Sequence, residues 1–207
     1  MVSTSKSIID YHEIIECIMG ALDAKDEYTA GHSQRVSDMV LKVCELLGMC
    51  NEQKEKIHIA AHLHDIGKIG IPDAILNKNG KLTKDEWRCM KKHPKIGANI
   101  LSKSKHLSKL QEIVLHHHER YDGLGYPDGL SGNNIPLGSR IIAICDSIDA
   151  MTSSRSYRKA PSFEYCYNQI KQNLGIMYDP VIGLCVLENW DEIVCVIKNF
   201  NLAINKF

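Results

Sequence analysis

Two short runs of the sequence contain residue types that bind metal ions. His116–Gly129 reads HHHERYDGLGYPDG, so three consecutive imidazoles come immediately before a glycine-rich turn. Leu63–Lys68 reads LHDIGK and places a histidine beside an aspartate at the end of an apolar helical stripe. Imidazole and carboxylate side chains bind divalent first-row cations. Holding several of them together is costly without a cation, so the two runs predict a metal centre built from separate segments.

Further histidines and one aspartate extend this set. Each lies near the end of a predicted helix or on an amphipathic one, so side chains from different elements can converge. Asp146 lies within the apolar run RIIAICDSIDAM, where an unpaired buried carboxylate is strongly unfavourable and a bound cation removes the cost. The candidate metal ligands are therefore His32, His64, Asp65, His93, His117, His118 and Asp146.

Apolar residues recur at helical spacing along most of the chain, which predicts an all-α fold, a compact bundle of helices with a long glycine-rich loop. Thr83 and Glu86 are predicted to form a capping box, and Ser108 and Ser162 to begin further helices. The run IVCVI near the C-terminus is compatible with strand or helix. Predicted loops cover residues 70–82 and Gly123–Gly138, and predicted helices cover Tyr11–Ala24, Ser33–Leu47, Glu52–His64, Thr83–Met90, Ser108–His118, Leu137–Met151 and segments starting at Ser162 and Pro180.

Length and composition predict a globular protein with one domain. The chain has 207 residues, of which 44% are hydrophobic and 24% charged. We expect one domain over residues 1–207, with a core at about 11–180 and a C-terminal extension at 181–207. Formal net charge is zero, which argues against binding to a nucleic acid polymer or an anionic membrane. The lysines at 91, 92 and 95 are interpreted as part of a solvated helix face.

Cysteine usage and the absence of long apolar runs predict the compartment. Eight cysteines are scattered singly among apolar residues without a CxxC pair, as expected for free thiols. The first residues do not resemble a signal peptide, and no apolar run approaches the ~18 residues of a membrane span. These features predict a cytoplasmic protein that does not insert into membranes.

Five segments, in this order, resemble those of the HD-GYP domain, a branch of the HD phosphohydrolase superfamily. The HD dipeptide or the GYP tripeptide alone would be a weak signal, but five blocks at compatible spacing are specific. With the helices between them they cover roughly Tyr11 to Pro180. The segments are DEYTAGHSQRV (Asp26–Val36), LHDIGKIGIPDAIL (Leu63–Leu76), LTKDEWRCMKKHPKIG (Leu82–Gly97), HHERYDGLGYPDGLSGNNIP (His117–Pro136) and RIIAICDSIDAMTSSRSYRKA (Arg140–Ala160).

The resemblance assigns a role to individual residues. It places the HD pair on His64 and Asp65, with Asp65 expected to bridge two metal ions. Lys68 is expected to contact a substrate phosphate and Tyr126 to pack in the substrate pocket. The other implied ligands are His32, His93, His117, His118 and Asp146, and the other implied phosphate contacts are Arg155 and Arg158. Residues interpreted as bystanders are His58, His62 and His116, while Asp149 is interpreted as a supporting or structural carboxylate.

The ligand types limit the metal. Imidazoles and carboxylates without a thiolate suit iron, manganese or zinc, and the resemblance favours iron or manganese. Some family members have a glutamate four residues before the first histidine that helps to hold a third metal. Tyr28 occupies this position here, and its phenol stays protonated at neutral pH because its ordinary pKa is about 10. We therefore expect two metal ions.

The resemblance implies a phosphodiesterase that opens cyclic di-GMP to the linear dinucleotide pGpG, and it leaves open whether pGpG or GMP is the end product. In a paired-metal site a bridging hydroxide attacks phosphorus in line, and Lys68 would stabilise charge on the phosphoryl oxygens. Asp65 and Lys68 are therefore the expected catalytic residues.

Three alternatives stay open. One is a hydrolase of a related cyclic dinucleotide such as cyclic GMP-AMP, and the second is a signalling module that binds cyclic di-GMP without hydrolysing it. The third is a di-iron redox or oxygen-binding protein, against which Lys68, Arg155 and Arg158 argue. The residues before Tyr11 are too few for a sensor domain, so we expect regulation through expression, a partner, metal or redox state, or a segment outside this sequence. The expected protein partners are a second copy in a homodimer or a signalling partner.

Overall fold

The computed structural model of the protein describes residues 11–25, 31–153 and 161–204. Within these ranges the chain forms helices and no β-strand, which confirms the predicted all-α fold. Short 3-10 segments cover Ile66–Gly70, Leu107–Leu110 and Gly132–Asn134. The α-helices are α1 (Tyr11–Lys25), α2 (His32–Leu46), α3 (Asn51–His62), α4 (Asp73–Leu76), α5 (Lys84–Met90), α6 (His93–Leu101), α7 (Gln111–Leu115), α8 (Leu137–Thr152), α9 (Phe163–Gln172), α10 (Pro180–Glu188) and α11 (Trp190–Ile204).

Local capping explains where several helices begin. The backbone N–H of Thr83 donates to Oε2 of Glu86 at 2.7 Å, and the N–H of Glu86 donates to Oγ1 of Thr83 at 3.3 Å. This confirms the predicted capping box at the start of α5. The predicted cap of α9 is also confirmed, since Ser162 Oγ accepts from the N–H of Tyr165 at 3.1 Å.

Other local predictions are wrong. The helix predicted over Ser108–His118 is a 3-10 turn followed by the short α7, and Ser108 does not cap it. Its hydroxyl donates to the carbonyl of Lys105 at 3.1 Å, whereas Ser104 Oγ accepts from the N–H of Leu107 at 3.3 Å. The segment at residues 70–82, predicted as a loop, contains the one-turn helix α4. This helix starts after Pro72, whose carbonyl accepts a hydrogen bond from the N–H of Leu76 at 3.0 Å.

The core lies between α2, α3 and α8, with α9 to α11 packed around them. Val36, Met39 and Val43 of α2 are fully buried, as is Ile148 of α8. Burial of this apolar face drives the packing of the bundle. The IVCVI run is helical within α11, and Ile182, Val186, Ile193 and Ile197 of α10 and α11 join the same buried cluster. We therefore propose that these two helices belong to the same domain.

Helix ends bring the chemically active segments to one place. The segment that follows α3 packs against the start of α6, and this contact needs a glycine at position 67. A Cβ atom on Gly67 would lie 1.8 Å from the carbonyl oxygen of His93.

Among the described helices, none combines the length and apolarity that crossing a lipid bilayer requires.

Candidate metal centre

Two groups of potential metal ligands meet at Asp65. One contains Asp65 with His93, His117 and His118, and the other contains Asp65 with His32 and His64. Within each group the ligand atoms lie within 4.8 Å of one another. Asp65 Oδ1 is 3.2 Å from Nε2 of His93, whereas its Oδ2 is 3.4 Å from Nε2 of His64. The two carboxylate oxygens thus face different groups, an arrangement that suits a carboxylate shared by two cations.

Backbone carbonyls orient three of the histidines. Each ring donates from Nδ1 to the carbonyl three residues earlier, at 2.7 Å for His64, 2.8 Å for His93 and 2.6 Å for His117. Because Nδ1 carries the hydrogen, Nε2 keeps its lone pair, which is the form that binds a metal. The tautomer and the ring orientation are therefore set for metal binding by the main chain.

A carboxylate orients His32, the candidate ligand contributed by the start of α2. Its Nδ1 lies 2.7 Å from Oδ2 of Asp149, and Arg35 Nε donates to Oδ1 of the same carboxylate at 2.6 Å. The other ring nitrogen of His32 faces the centre, 3.4 Å from Oδ1 of Asp146. Asp146 thus lies beside the second ligand group, as its place in the apolar helix α8 predicted.

The donor set fits a divalent cation. Nε2 of His93 and Nε2 of His117 lie 3.4 Å apart, although both rings already donate from Nδ1. The lone pairs of the two nitrogens then face each other. Two nitrogens that each bind the same metal ion at about 2 Å lie about 3 Å apart, which is close to the separation of these two. Nε2 of His64 is buried without a hydrogen-bond partner in the described part of the chain. One cation in each ligand group would satisfy these nitrogens, the first binding His93 and His117 and the second binding His64.

Burial keeps three of the candidate ligand histidines neutral. It lowers the pKa of His64 to about 4 and the pKa of His117 to about 3, and it also holds the pKa of His118 well below its ordinary value. A histidine must be neutral to bind a metal ion. Because these three residues are already neutral near pH 7, they do not have to lose a proton when a metal binds. The burial also lowers the pKa of His32, but the hydrogen bond to Asp149 and the nearby carboxylates outweigh it and raise that pKa.

The two carboxylates of the centre differ in their affinity for protons. Burial raises the pKa of Asp65, but the ammonium of Lys68 and the neighbouring histidines outweigh it and hold this pKa well below its usual range. Lys68 Nζ lies 2.7 Å from Oδ2 of Asp65. Burial raises the pKa of Asp146 above its ordinary value, and His32 opposes this only in part. Asp65 is therefore ionised at neutral pH and available to two cations.

The glycine-rich loop folds back onto the centre. The ring centroid of Tyr126 lies 4.9 Å from that of His118, next to the first ligand group. Glu119 fixes the loop, because its Oε1 accepts from the backbone N–H groups of Asp128 and Gly129 at 2.7 and 3.0 Å. The peptide bond between Tyr126 and Pro127 is cis. Because its ring packs on that of His118, Tyr126 forms a side wall of the centre.

Several sequence predictions concern residues away from this centre. His116 lies outside it and pairs through Nε2 with Oδ2 of Asp128 at 3.0 Å. His58 contacts the carbonyl of Ser37 at 3.1 Å, and its ring packs on that of His62 at 4.7 Å, so neither belongs to the two ligand groups. Outside the described residues lie Tyr28, Arg155 and Arg158.

The interpretation of Asp149 as a supporting carboxylate agrees with its contact with His32, although the sequence did not identify that partner. Sequence reasoning missed Glu119 as the anchor of the loop. Lys91 is exposed, as expected for a solvated residue, but the contacts of Lys91 and Trp87 with Tyr126 were missed. For the last pair a signal existed in the sequence, because positions four apart in a helix share one face.

Comparison with known proteins places these residues in a family context. A family model described as HD domain matches residues 16–182. The chain is 37% identical over 89% of its length to 3'3'-cGAMP-specific phosphodiesterase 2 of Vibrio cholerae. It is 42% identical over 81% of its length to the cyclic di-GMP phosphodiesterase response regulator RpfG of Xanthomonas campestris pv. campestris. The chain spans only 36% and 45% of the lengths of these two relatives.

A solved structure shares the fold. Bd1817, an HDG"Y"P protein from Bdellovibrio bacteriovorus, superposes with a TM-score of 0.64 at 18% identity. The match covers 86% of this chain and 60% of that one. At this identity the likeness extends to the helical architecture and not to the chemistry.

Proposed function

The chain belongs to the HD-GYP branch of the HD domain family, and we propose that it is a metal-dependent phosphodiesterase that hydrolyses cyclic di-GMP to pGpG, with GMP as the alternative end product. The observation that supports this most strongly is the position of Asp65. Its two oxygens face two separate histidine groups, and the ammonium of Lys68 lies beside it at 2.7 Å. A paired-cation site next to a fixed positive charge suits a phosphodiester.

We propose that the centre holds two divalent cations, iron or manganese, with zinc as the alternative. When bound, such cations polarise phosphoryl oxygens and make a coordinated water more acidic. Asp65 would be shared between them, as its membership of both ligand groups suggests. The residues that would hold the cations are His32, His64, Asp65, His93, His117, His118 and Asp146.

The protein's own groups supply binding and charge. Lys68 is positioned to pair with a phosphoryl oxygen, since its ammonium already lies at the edge of the centre beside an ionised carboxylate. Tyr126 would bound the pocket on the side of His118. Arg155 and Arg158 remain proposed phosphate contacts on sequence grounds. A homodimer or signalling partner, and action in the cytoplasm, likewise remain proposals.

A second substrate is favoured by one observation. A relative that is 37% identical to this chain is named a 3'3'-cGAMP-specific phosphodiesterase. Cyclic GMP-AMP presents the same two phosphodiesters to the centre, so the candidate ligands and Lys68 would serve either substrate equally. Discrimination must come from side chains that contact the bases.

Turnover of both dinucleotides by the same preparation tests the proposal. The protein is loaded with Fe²⁺ or Mn²⁺ under anaerobic conditions, and the products are separated by chromatography. We expect cleavage of cyclic di-GMP, and we expect Asp65→Ala to abolish both cleavage and metal retention while the far-UV circular dichroism keeps its helical form. Asp85→Ala is the matched control, because Asp85 is an exposed aspartate paired only with Arg88 in the contacts described. Cleavage at the parental rate by Asp65→Ala, or no cleavage of cyclic di-GMP by the loaded protein, would contradict the proposal.

A further inference from the structure

A large aromatic side chain is exposed beside the candidate metal centre. Trp87 on α5 is 46% exposed to solvent. Its ring centroid lies 6.4 Å from that of Tyr126, and the two ring planes are nearly perpendicular, at 78°. Tyr126 lies in turn against His118 of the first ligand group. Tyr126 therefore lies between Trp87 and the metal centre. The rings of Trp87 and Tyr126 form a corner that faces solvent.

A lysine completes this corner. Nζ of Lys91 lies 4.9 Å from the ring centroid of Tyr126 and 5.7 Å from that of Trp87. Lys91 follows Trp87 by four positions, so the end of α5 presents both side chains on one face. The aromatic faces attract the ammonium and hold it in place, while the residue stays exposed to solvent. The corner thus combines two aromatic rings with one positive charge.

The corner is held at a set position relative to the centre. The capping box of Thr83 and Glu86 fixes the start of α5, and Lys78 pairs with the same glutamate at 2.6 Å. The end of α5 is separated by only two residues from His93, the first residue of α6 and a candidate ligand. A ligand bound at the corner would therefore also lie close to the metal centre.

We propose that Trp87, Lys91 and Tyr126 form a subsite for a purine base and its neighbouring phosphate, used by the cyclic dinucleotide while its other phosphodiester lies at Asp65 and Lys68. This inference rests on the proposed function and adds the part of the protein that contacts the base. Every nucleobase has a flat face that stacks on an aromatic ring, and such stacking strengthens binding about 10- to 100-fold. An ammonium beside the rings supplies the charge that a phosphate requires.

Fluorescence of Trp87 measures binding at this subsite independently of turnover. The chain has two tryptophans, and Trp190 packs against Tyr167 at 5.6 Å. In the Trp190→Phe protein the emission therefore comes from Trp87 alone. We expect cyclic di-GMP to quench this emission with a saturable curve, whereas in Trp87→Phe the emission of Trp190 should not respond. An unquenched Trp87 at saturating cyclic di-GMP, with binding confirmed by calorimetry, would overturn the proposal.

Affinity and kinetics of variants separate stacking from charge. We expect Trp87→Ala to raise the Kd and KM for cyclic di-GMP about 10- to 100-fold while kcat changes less than about threefold, with partial rescue by Trp87→Phe. Lys91→Ala should raise both constants about 3- to 10-fold. Arg88→Ala is the matched control, since this neighbouring cation is exposed and pairs with Asp85 at 2.8 Å. Parental Kd values in Trp87→Ala and Lys91→Ala would overturn the subsite.

The failure of this inference is distinguishable from failure of the proposed function. Saturable quenching of Trp87 by cyclic di-GMP without any hydrolysis would support the subsite and contradict the phosphodiesterase. Hydrolysis with unchanged KM in Trp87→Ala would support the phosphodiesterase and contradict the subsite. Melting curves show whether each variant is folded, and Trp87→Phe provides the test if Trp87→Ala does not fold.

Discussion

Nδ1 of His32 lies 2.7 Å from Oδ2 of Asp149, a contact between α2 and α8 that joins residues 117 positions apart. Arg35, one turn after His32, donates to the other oxygen of the same carboxylate at 2.6 Å. Burial raises the pKa of Asp149, but its hydrogen bonds with His32 and Arg35 outweigh this and hold that pKa below its ordinary value. Asp149 thus fixes the orientation of a candidate ligand from outside the two ligand groups.

Asp149→Asn should weaken metal retention without removing any candidate ligand. The amide keeps the shape of the carboxylate but loses its charge, so His32 and Arg35 are held less firmly. Loss of such a supporting partner typically lowers metal affinity about 10- to 100-fold. Competition with a fluorescent chelator measures the change. Asp38→Asn is the control, because Asp38 lies on α2 and accepts from Gln34 at 2.9 Å; equal affinities in the two variants would contradict the role of Asp149.

Glu119→Ala should release the glycine-rich loop. Its carboxylate accepts two backbone N–H groups and is 3% exposed, so its removal leaves those donors unsatisfied and costs about 1–3 kcal/mol of stability. We expect faster chymotrypsin cleavage after Leu124, an exposed residue of the same loop that is followed by glycine, and a higher KM. Glu112→Ala serves as the control, since Glu112 is a largely exposed acid on α7. Cleavage at the parental rate in Glu119→Ala would show that other contacts hold the loop.

Gly67→Ala should destabilise the protein by more than about 2 kcal/mol, because the added Cβ meets backbone atoms that cannot move aside. It would lie 1.8 Å from the carbonyl oxygen of His93 and 2.5 Å from the nitrogen of Gly97. Gly70→Ala, in the same 3-10 turn, is the comparison. The three atoms nearest its Cβ would all belong to the side chain of Ile96, the first at 3.1 Å, and this side chain can rotate. Denaturant unfolding measures both variants, and equal losses would contradict the close approach at Gly67.

The metal-free protein should lose stability as the pH falls below about 6.5. Burial lowers the pKa of His64 to about 4 and that of His117 to about 3, from an ordinary value of 6.5. Between pH 6.5 and about 4 the unfolded chain therefore binds protons that the folded chain does not, so acid favours unfolding. This stability is fully present above pH 6.5. The melting temperature of the protein, measured after metal removal with a chelator between pH 7.5 and 4.5, tests this prediction. In His117→Asn the melting temperature should fall less with decreasing pH. A melting temperature of the parental protein that does not change with pH would contradict the prediction.

The helices and the ligand segments could be predicted from the sequence because their signals are local. The apolar spacing of α2 and α8 and the capping box of Thr83 and Glu86 each depend on residues within a few positions. His64 and Asp65 are adjacent, as are His117 and His118, so each pair necessarily shares one element. The convergence of these segments was expected from their resemblance to a family, and the structure places them together around Asp65.

Contacts between distant segments could not be predicted in the same way. The pairing of His32 with Asp149 depends on how α2 packs on α8, and apolar periodicity does not specify individual polar pairs. The helix predicted over Ser108–His118 was too long, because α7 ends at Leu115 and the rings of His116 and His117 contact the carbonyls of Glu112 and Val114. The position of Lys91 over Tyr126 likewise depends on the fold of the glycine-rich loop.

Metal content per chain in the parental protein and in Asp65→Ala tests most directly whether one carboxylate serves two cations. Inductively coupled plasma mass spectrometry of protein purified and dialysed without oxygen gives this ratio. We predict two divalent ions per parental chain and the loss of both in Asp65→Ala, since Asp65 belongs to both ligand groups. Asp65→Ala protein that retains two ions per chain, or parental protein that holds none after loading, would contradict the account.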